Sequence, residues 1–338
     1  MKNQFLTFVF LIGPALIGCS SSSEQPAQAA PQIAIEPEKN QDPGKDVKDK
    51  GWSYLLQLLI REGIDKKLAE AALGSRDMPE REMLTFNLDP QEKHSLYKGV
   101  NTLAKRKHAY EFYLQHQDSF TAARRNYSVP EGVVLAILQV ETSCGQFTGD
   151  KDVFPAIARL ANARDPEILT ENLKNNPKSK EAAVYSRASY LESTFLPHLV
   201  ATFKIAPGGD VHALRGSFAG AMGLPQFMPD NILKYGIDAN KDGKIDVYDP
   251  ADAILSTANY LKLHGWNALE MSRSKKRNVI WEYNRSTPYI DTVLSMADEL
   301  QKLITPSKKN SPHVDSKKSP PKPSRPTKDL RRRTKKSH

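Results

Sequence analysis

Cysteine is almost absent. The 338 residues contain two, Cys19 and Cys144, so a disulfide framework is excluded as the source of stability. A chain of this length can bury a hydrophobic core instead, as one large domain or two small ones. No long apolar run occurs inside the chain, which argues against an internal membrane-spanning helix. No internal repeat is visible, which argues against a solenoid. An excess of one charge is also missing from most of the sequence. The formal net charge is +9, but Ser307 to His338 alone holds twelve Lys and Arg against two Asp. The remainder is close to neutral, so the basic balance describes a tail and not a nucleic-acid-binding domain.

What is present begins with MKNQFLTFVFLIGPALIGCSSSS. A short basic start, an apolar stretch and a small-residue boundary read as an export signal over 1–18. LIGC resembles the bacterial lipobox, in which the cysteine is diacylated and becomes the new N-terminus. Cys19 is therefore the expected lipidation site and membrane anchor. Ser20 follows it, where an Asp would favour retention in the inner membrane, so an outer-membrane lipoprotein facing the periplasm is expected. Residues 19–50 are rich in Ser, Gln, Pro, Ala, Glu and Lys and read as a flexible tether. Residues 306–338 read as a disordered Pro- and Lys-rich tail. Two readings of that tail stand side by side: attachment to an anionic surface, or simple solubilisation.

The folded part is expected over 51–305, with a catalytic core at about 108–305. It opens with helical text: WSYLLQLLIREG, KKLAEAALG and YEFYLQHQDSFTAARRNY. A further helix is predicted from Ser128-Val129-Pro130-Glu131, a capping-box pattern with Pro in the first turn, to about Ser143. It carries Glu141 at the end of the apolar run VVLAILQV. Ile137 and Leu138 lie four and three residues before Glu141 and share its face. A carboxylate emerging from an apolar wall either finds a cation or rises in pKa, and a protonated acid near neutral pH is what acid catalysis uses. Periodicity alone leaves both readings open. Cys144 invites a catalytic-thiol reading, but a free cysteine is more often a small buried hydrophobe.

Residues 216–229 read GSFAGAMGLPQFMP. Their small side chains let another chain approach closely, either a helix or a polysaccharide. Ser217 and Gln226 offer a hydroxyl and an amide suited to sugar hydroxyls and N-acetyl groups. Residues 238–249, DANKDGKIDVYD, place Asp238, Asn240, Asp242, the Lys244 carbonyl, Asp246 and Asp249 at positions 1, 3, 5, 7, 9 and 12 of an EF-hand loop, with Gly243 at position 6. A structural calcium of modest affinity is expected, because Asp replaces the longer Glu at position 12. The alternative is an Asp-rich turn without metal.

Taken in order, VPEGVVLAILQVETSCG, GSFAGAMGLPQFMP, the calcium loop, DPADAILSTANYLKLHGW and WEYNRS resemble the membrane-bound lytic murein transglycosylase B family, from about Trp52 to Leu303. The resemblance implies a mainly α, lysozyme-like α+β fold and cleavage of the MurNAc–GlcNAc bond of peptidoglycan. It implies that Glu141 is the single catalytic acid/base and that no catalytic cofactor is needed. Ser217 and Gln226 would then contact the sugars flanking the bond. Tyr260 would line the cleft, Tyr283 and Asn284 would hold ring substituents, and Arg187 would meet the anionic stem. The family's preceding arginine is Ser186 here, which implies a weaker grip. Ser143-Cys144 replaces a bulkier stretch and implies a wider cleft beside the acid. Residues 163–183 look like an insertion, expected as a helix or loop over the cleft. The implied partners are glycan strands and the membrane, for a protein expected to be a monomer with no nucleic-acid role. A muramidase on the same fold, a non-catalytic wall-tethering lipoprotein and a calcium switch are the competing functions.

Overall fold

Helix α5, Glu131–Thr142, is buried at every one of its residues. An α-helix that is apolar on all sides belongs inside a protein, and the rest of the fold is arranged around this one. The computed structural model describes residues 46–305; the expected signal segment, Cys19, most of the tether and the basic tail lie outside them. Among the described residues there are twelve α-helices. Before α5 come α1 (Ser53–Arg61), α2 (Lys66–Gly74), α3 (Leu103–Gln115) and α4 (Gln117–Tyr127). After it come α6 (Val153–Ala161), α7 (Pro166–Lys174), α8 (Glu181–Ile205), α9 (Pro229–Tyr235), α10 (Pro250–Leu263), α11 (Arg273–Tyr283) and α12 (Thr287–Ile304). No helix among them is long and apolar enough to cross a membrane.

Helices α3, α4, α10 and α12 pack on α5, with α12 the most extensive neighbour. A second layer pairs α6 with α8 and α8 with α9. The only sheet among the described residues is one short antiparallel pair, β1 (Lys151–Asp152) and β2 (Arg215–Gly216), with Lys151 opposite Gly216. This pair ties the segment that leaves α5 to the segment that carries Ser217. Gly149 makes the approach possible. It has φ +91°, and a Cβ there would sit 2.2 Å from the Gly216 carbonyl oxygen.

The mainly helical expectation holds, with three local corrections. Ser128 does not cap α5. It is the left-handed residue that ends α4 (φ 58°), Pro130 stands at the N-cap of α5, and Glu131 instead ion-pairs with Arg124 at 2.7 Å. The helical text of 110–127 breaks at His116, whose amide is shared between the Phe112 and Tyr113 carbonyls. Residues 46–50 belong to the fold and not to the tether: Val47 is buried, and the buried Lys50 ammonium donates to the Ser75 and Met78 carbonyls at 2.5 Å each. Within the expected insertion, 166–174 forms α7, which packs on α8 and bonds the extended chain at 84–86 through Asn172.

Candidate active site

Glu141 lies in the last turn of α5, 9% exposed, with Ile137 and Leu138 fully buried behind it. The helix stops directly afterwards. Ser143 (φ 51°) and Cys144 (φ 55°) turn left-handed, and the Cys144 amide reaches back to the Leu138 carbonyl at 3.0 Å. A Schellman-type end of this kind fixes the last turn, and with it the direction of the acid. The Cys144 thiol is buried and donates to Gln139 Oε1 at 3.4 Å, and burial pushes its pKa up, away from thiolate chemistry.

The Glu141 carboxylate has one strong partner. The Tyr289 hydroxyl, on the first turn of α12, donates to Glu141 Oε1 at 2.6 Å. Desolvation dominates the titration and pushes the Glu141 pKa up to about 8. The Tyr289 hydrogen bond opposes that rise and the Glu92 charge adds to it. No cation among the described residues offsets the burial, so of the two readings open from the sequence the structure supports the protonated acid.

Tyr289 belongs to an aromatic chain. Its ring is stacked parallel to Tyr283 at 6.5 Å and edge-on to Tyr97 at 6.2 Å. Tyr283 packs on Tyr260 (5.0 Å) and Phe227 (6.0 Å), and Tyr260 stacks on His264 at 4.0 Å. The phenols in this wall are committed: Tyr283 donates to the Pro225 carbonyl and Tyr260 to the Glu282 carbonyl, both at 2.6 Å. Tyr283 therefore stands beside the acid, while Tyr260 buttresses it from behind with its ring. Asn284 follows Tyr283 as the extended C-cap of α11, half-buried at the edge of the wall.

On the other side, the loop 216–227 closes on itself. The Met222 and Phe227 amides and carbonyls exchange hydrogen bonds. Gln226, at its tip, is left-handed (φ 51°). The Gln226 amide donates to the Thr148 carbonyl (3.1 Å) and the Gly223 carbonyl (3.0 Å), so the group it presents to a ligand is Oε1. Ser217 Oγ accepts from the Ala221 amide at 3.1 Å and keeps its proton to donate. The loop is joined to the acid's helix by the Thr142 hydroxyl, which donates to the Leu224 carbonyl at 2.9 Å. Glu141, Tyr283, Ser217 and Gln226 thus sit on segments bound directly to one another. Arg187 is attached less directly. It lies on α8 with its guanidinium 5.5 Å from the centre of the Tyr190 ring, and Tyr190 also feels the charge of Arg285, next to Asn284.

The EF-hand-like loop carries no assembled metal centre. Among the described residues, no group of three or more His, Cys, Asp or Glu side chains is placed to hold a metal ion. The acceptors of the loop turn onto its own amides instead. Asp238 accepts from Lys241 (2.7 Å) and Gly243 (3.0 Å), Asn240 from Asp242, Asp242 from Lys244, and Asp246 from Tyr248. Asp249 caps α10 through the Ala251 and Asp252 amides. Gly243 has φ +87°, which the turn at position 6 requires.

Sequence reasoning missed Tyr289 and Asp252. Tyr289 meets Glu141 only through the tertiary fold. Asp252 has the form of an ordinary acidic residue in the first turn of a helix.

Residues 48–274 match the transglycosylase SLT domain. The chain belongs to that family. Over 158 residues it is 37% identical to the membrane-bound lytic murein transglycosylase B of Escherichia coli K12, a match covering 46% of this chain and 37% of that protein's length. The chain therefore aligns with little more than a third of that relative. In fold it is similar to the Pseudomonas aeruginosa lytic transglycosylase SltB1, with a TM-score of 0.58 and 22% identity over 76% of this chain and all of that one. It is also similar to the Escherichia coli lytic transglycosylase SLT35 in complex with calcium, with a TM-score of 0.56 and 22% identity over 75% of this chain and 93% of that one. These likenesses are in architecture, and they place the helical arrangement in the lysozyme-like class of the SLT transglycosylases.

Proposed function

We propose that this SLT-domain protein is a lytic transglycosylase that cleaves the MurNAc–GlcNAc β-1,4 bond of peptidoglycan and leaves a 1,6-anhydroMurNAc end. The observation that carries the reading is Glu141 itself, a buried carboxylic acid held protonated to about pH 8 and oriented by Tyr289 in a family of murein-cleaving enzymes. Glu141 donates its proton to the glycosidic oxygen as GlcNAc leaves. The resulting carboxylate then takes the proton of the C6 hydroxyl of the same MurNAc, and that oxygen closes onto C1. One group serves as acid and then base, and no water is consumed. The nucleophile is intramolecular, so its effective concentration far exceeds that of a free hydroxyl. Ser217 and Gln226 Oε1 would hold the sugars flanking the bond. Tyr283 and Asn284 would hold ring substituents, and Arg187 with Arg285 would face the acidic stem. Anchoring through a lipid on Cys19, facing the periplasm, belongs to the same reading.

The mass of the released fragments tests this. The full chain acting on purified peptidoglycan is expected to give anhydro ends. Reducing ends, one water heavier, would make it a muramidase, and no fragments would leave a wall-tethering lipoprotein.

Calcium belongs to the proposal in a structural role. The donors of the loop are all oxygens, as a hard cation prefers, and Gly243 already has the turn conformation. Asp238, Asn240, Asp242, the Lys244 carbonyl, Asp246 and Asp249 would hold the ion, which would supply rigidity to the loop and no chemistry. A ligand that binds only the folded form stabilises it by mass action. Saturating calcium is expected to raise Tm by several degrees, and Asp238→Ala to abolish the rise. An unchanged wild-type Tm would remove calcium from the protein.

A further inference from the structure

Two exposed phenylalanines stand on the segments that meet beside the acid. Phe147, 58% exposed, lies in the loop between α5 and β1, and Phe218, 37% exposed, directly follows Ser217. A single exposed aromatic on loose chain is ordinary surface. These two are on fastened chain. The Phe147 amide donates to the Thr142 carbonyl at 3.0 Å and the Gly145 amide to the Thr142 hydroxyl at 2.9 Å, which ties the loop to the last turn of α5. Directly after Phe147, the Thr148 carbonyl accepts from the Gln226 side-chain amide at 3.1 Å. Gly149 then lies against the other segment: a Cβ on it would stand 2.2 Å from the Gly216 carbonyl oxygen and 2.7 Å from the Ser217 nitrogen. Phe218 is set by a turn. The Gly220 amide donates to the Ser217 carbonyl at 2.9 Å and the Ser217 amide to the Ala221 carbonyl at 2.8 Å. The turn is pressed onto α6, because a Cβ at Gly220 would stand 2.3 Å from Ile157 Cγ1. Its inner side is thus occupied, and Phe218 stands at the exposed corner. The two rings therefore rise from either side of the backbone contact between Gly149 and Ser217.

We propose that Phe147 and Phe218 form a stacking platform for a further pyranose ring of the glycan strand, a sugar beyond the pair joined by the cleaved bond. The proposal deepens the function proposed above and rests on it. A pyranose of a β-1,4 strand is polar at its rim and apolar on its faces, where axial C–H groups point away from the ring. Its rim suits the Ser217 hydroxyl and Gln226 Oε1, and its faces suit flat aromatic rings, which bury a large apolar area. A few placed polar groups beside apolar surface is the usual make-up of a ligand site. The charges next to the platform select among parts of the substrate. Arg215 pairs with Asp152 at 2.8 Å and Lys151 with Asp150 at 3.4 Å, so this neighbourhood carries no net charge. It has nothing to draw an acidic peptide stem, and the uncharged sugar ring is the part that fits. Phe147 is the more exposed of the two and the one on the loop that leaves the acid, so most of the stacking falls to it.

Glycan length separates a platform for a further sugar from a general effect on the site. The full chain carrying Glu141→Gln, which keeps the site and loses the acid, is titrated by calorimetry with chitobiose and with chitohexaose, oligomers of β-1,4-linked GlcNAc. Adding Phe147→Ala is expected to weaken chitohexaose roughly tenfold and chitobiose far less. Phe147→Tyr and Phe147→Trp should keep the affinity for the long oligomer, because each keeps a flat ring, and Phe218→Ala should act in the same direction as Phe147→Ala. With Glu141 in place, Phe147→Ala should raise KM on long glycan strands more than it lowers kcat, the mark of binding lost in ground and transition state alike. Equal losses for the two oligomers, an unmoved chitohexaose affinity, or no binding of either oligomer overturns the platform. The proposed function survives each of these results if the wild-type chain still releases anhydro fragments. Chitohexaose binding that depends on Phe147, in a protein whose wild-type form cleaves no peptidoglycan, upholds the platform and overturns the proposed function instead.

Discussion

Glu141→Gln is expected to cut peptidoglycan about 10³–10⁴-fold more slowly than wild type while folding normally. Glutamine keeps the shape of the side chain, and its Oε1 can accept the Tyr289 hydrogen bond that the carboxyl accepts now at 2.6 Å. It has no acidic proton to give the leaving oxygen and no basic oxygen to take one from the C6 hydroxyl. Both halves of the proposed reaction therefore fail at once, which is why the expected loss lies at the upper end for acid–base catalysis. Turnover within tenfold of wild type would remove Glu141 from the chemistry.

The same variant carries a stability signature with a definite sign. The folded-state pKa of Glu141 lies near 8, against 4.5 for an ordinary glutamate. Between those values the folded chain keeps a proton that the unfolded chain releases, so rising pH favours the unfolded state. Wild-type stability therefore carries a contribution that is full below about pH 4.5 and is lost as pH rises toward 8. The glutamine variant has no such slope. Its Tm relative to wild type should rise across this window, as melting curves at several pH values would read out. In wild type, activity should decline above about pH 8 as the acid loses its proton.

Much of the catalytic helix was legible because its physics is local. An apolar run interrupted only at Gln139 predicts a buried helix, and i, i+3 and i, i+4 spacing places Ile137 and Leu138 under Glu141. The oxygen-rich loop and the small-residue segment were legible by spacing as well. Local signals failed where one residue type serves two ends. Ser128 fits an N-cap and also tolerates the left-handed end of α4, and only packing decides between them. The break at His116 has no Gly or Pro to mark it. The company of Glu141 was not legible at all. Tyr289 stands 148 residues away. Topology brings it to the acid, and no spacing rule reaches that far.

Asp252→Ala is expected to destabilise the protein by about 2–4 kcal/mol, an amount that lowers Tm by roughly 5–15 °C for a domain of this size. Asp252 is fully buried in the first turn of α10. Its two carboxylate oxygens hold opposite ends of the EF-hand-like loop: Oδ1 accepts from the Ala239 amide and Oδ2 from the Asp246 amide, each at 2.8 Å. The positive end of the helix dipole favours a carboxylate there. Alanine leaves both amides without an acceptor in a place where water does not easily replace it. The damage should travel, because the loop is bound to the sugar-facing segment. The Leu224 amide donates to the Val247 carbonyl at 2.9 Å, and the Tyr248 hydroxyl donates to the Arg215 carbonyl beside Gly216. Asp238→Ala makes the contrast. Its carboxylate accepts only from the exposed amides of Lys241 and Gly243, which water can satisfy, so its calcium-free Tm should stay close to wild type. Melting both variants in chelator separates the two roles: Asp252 is the peg of the loop whether or not metal is bound, and Asp238 is a ligand that matters when it is. An Asp252→Ala variant melting within about 2 °C of wild type would show that the loop is held by something other than this carboxylate.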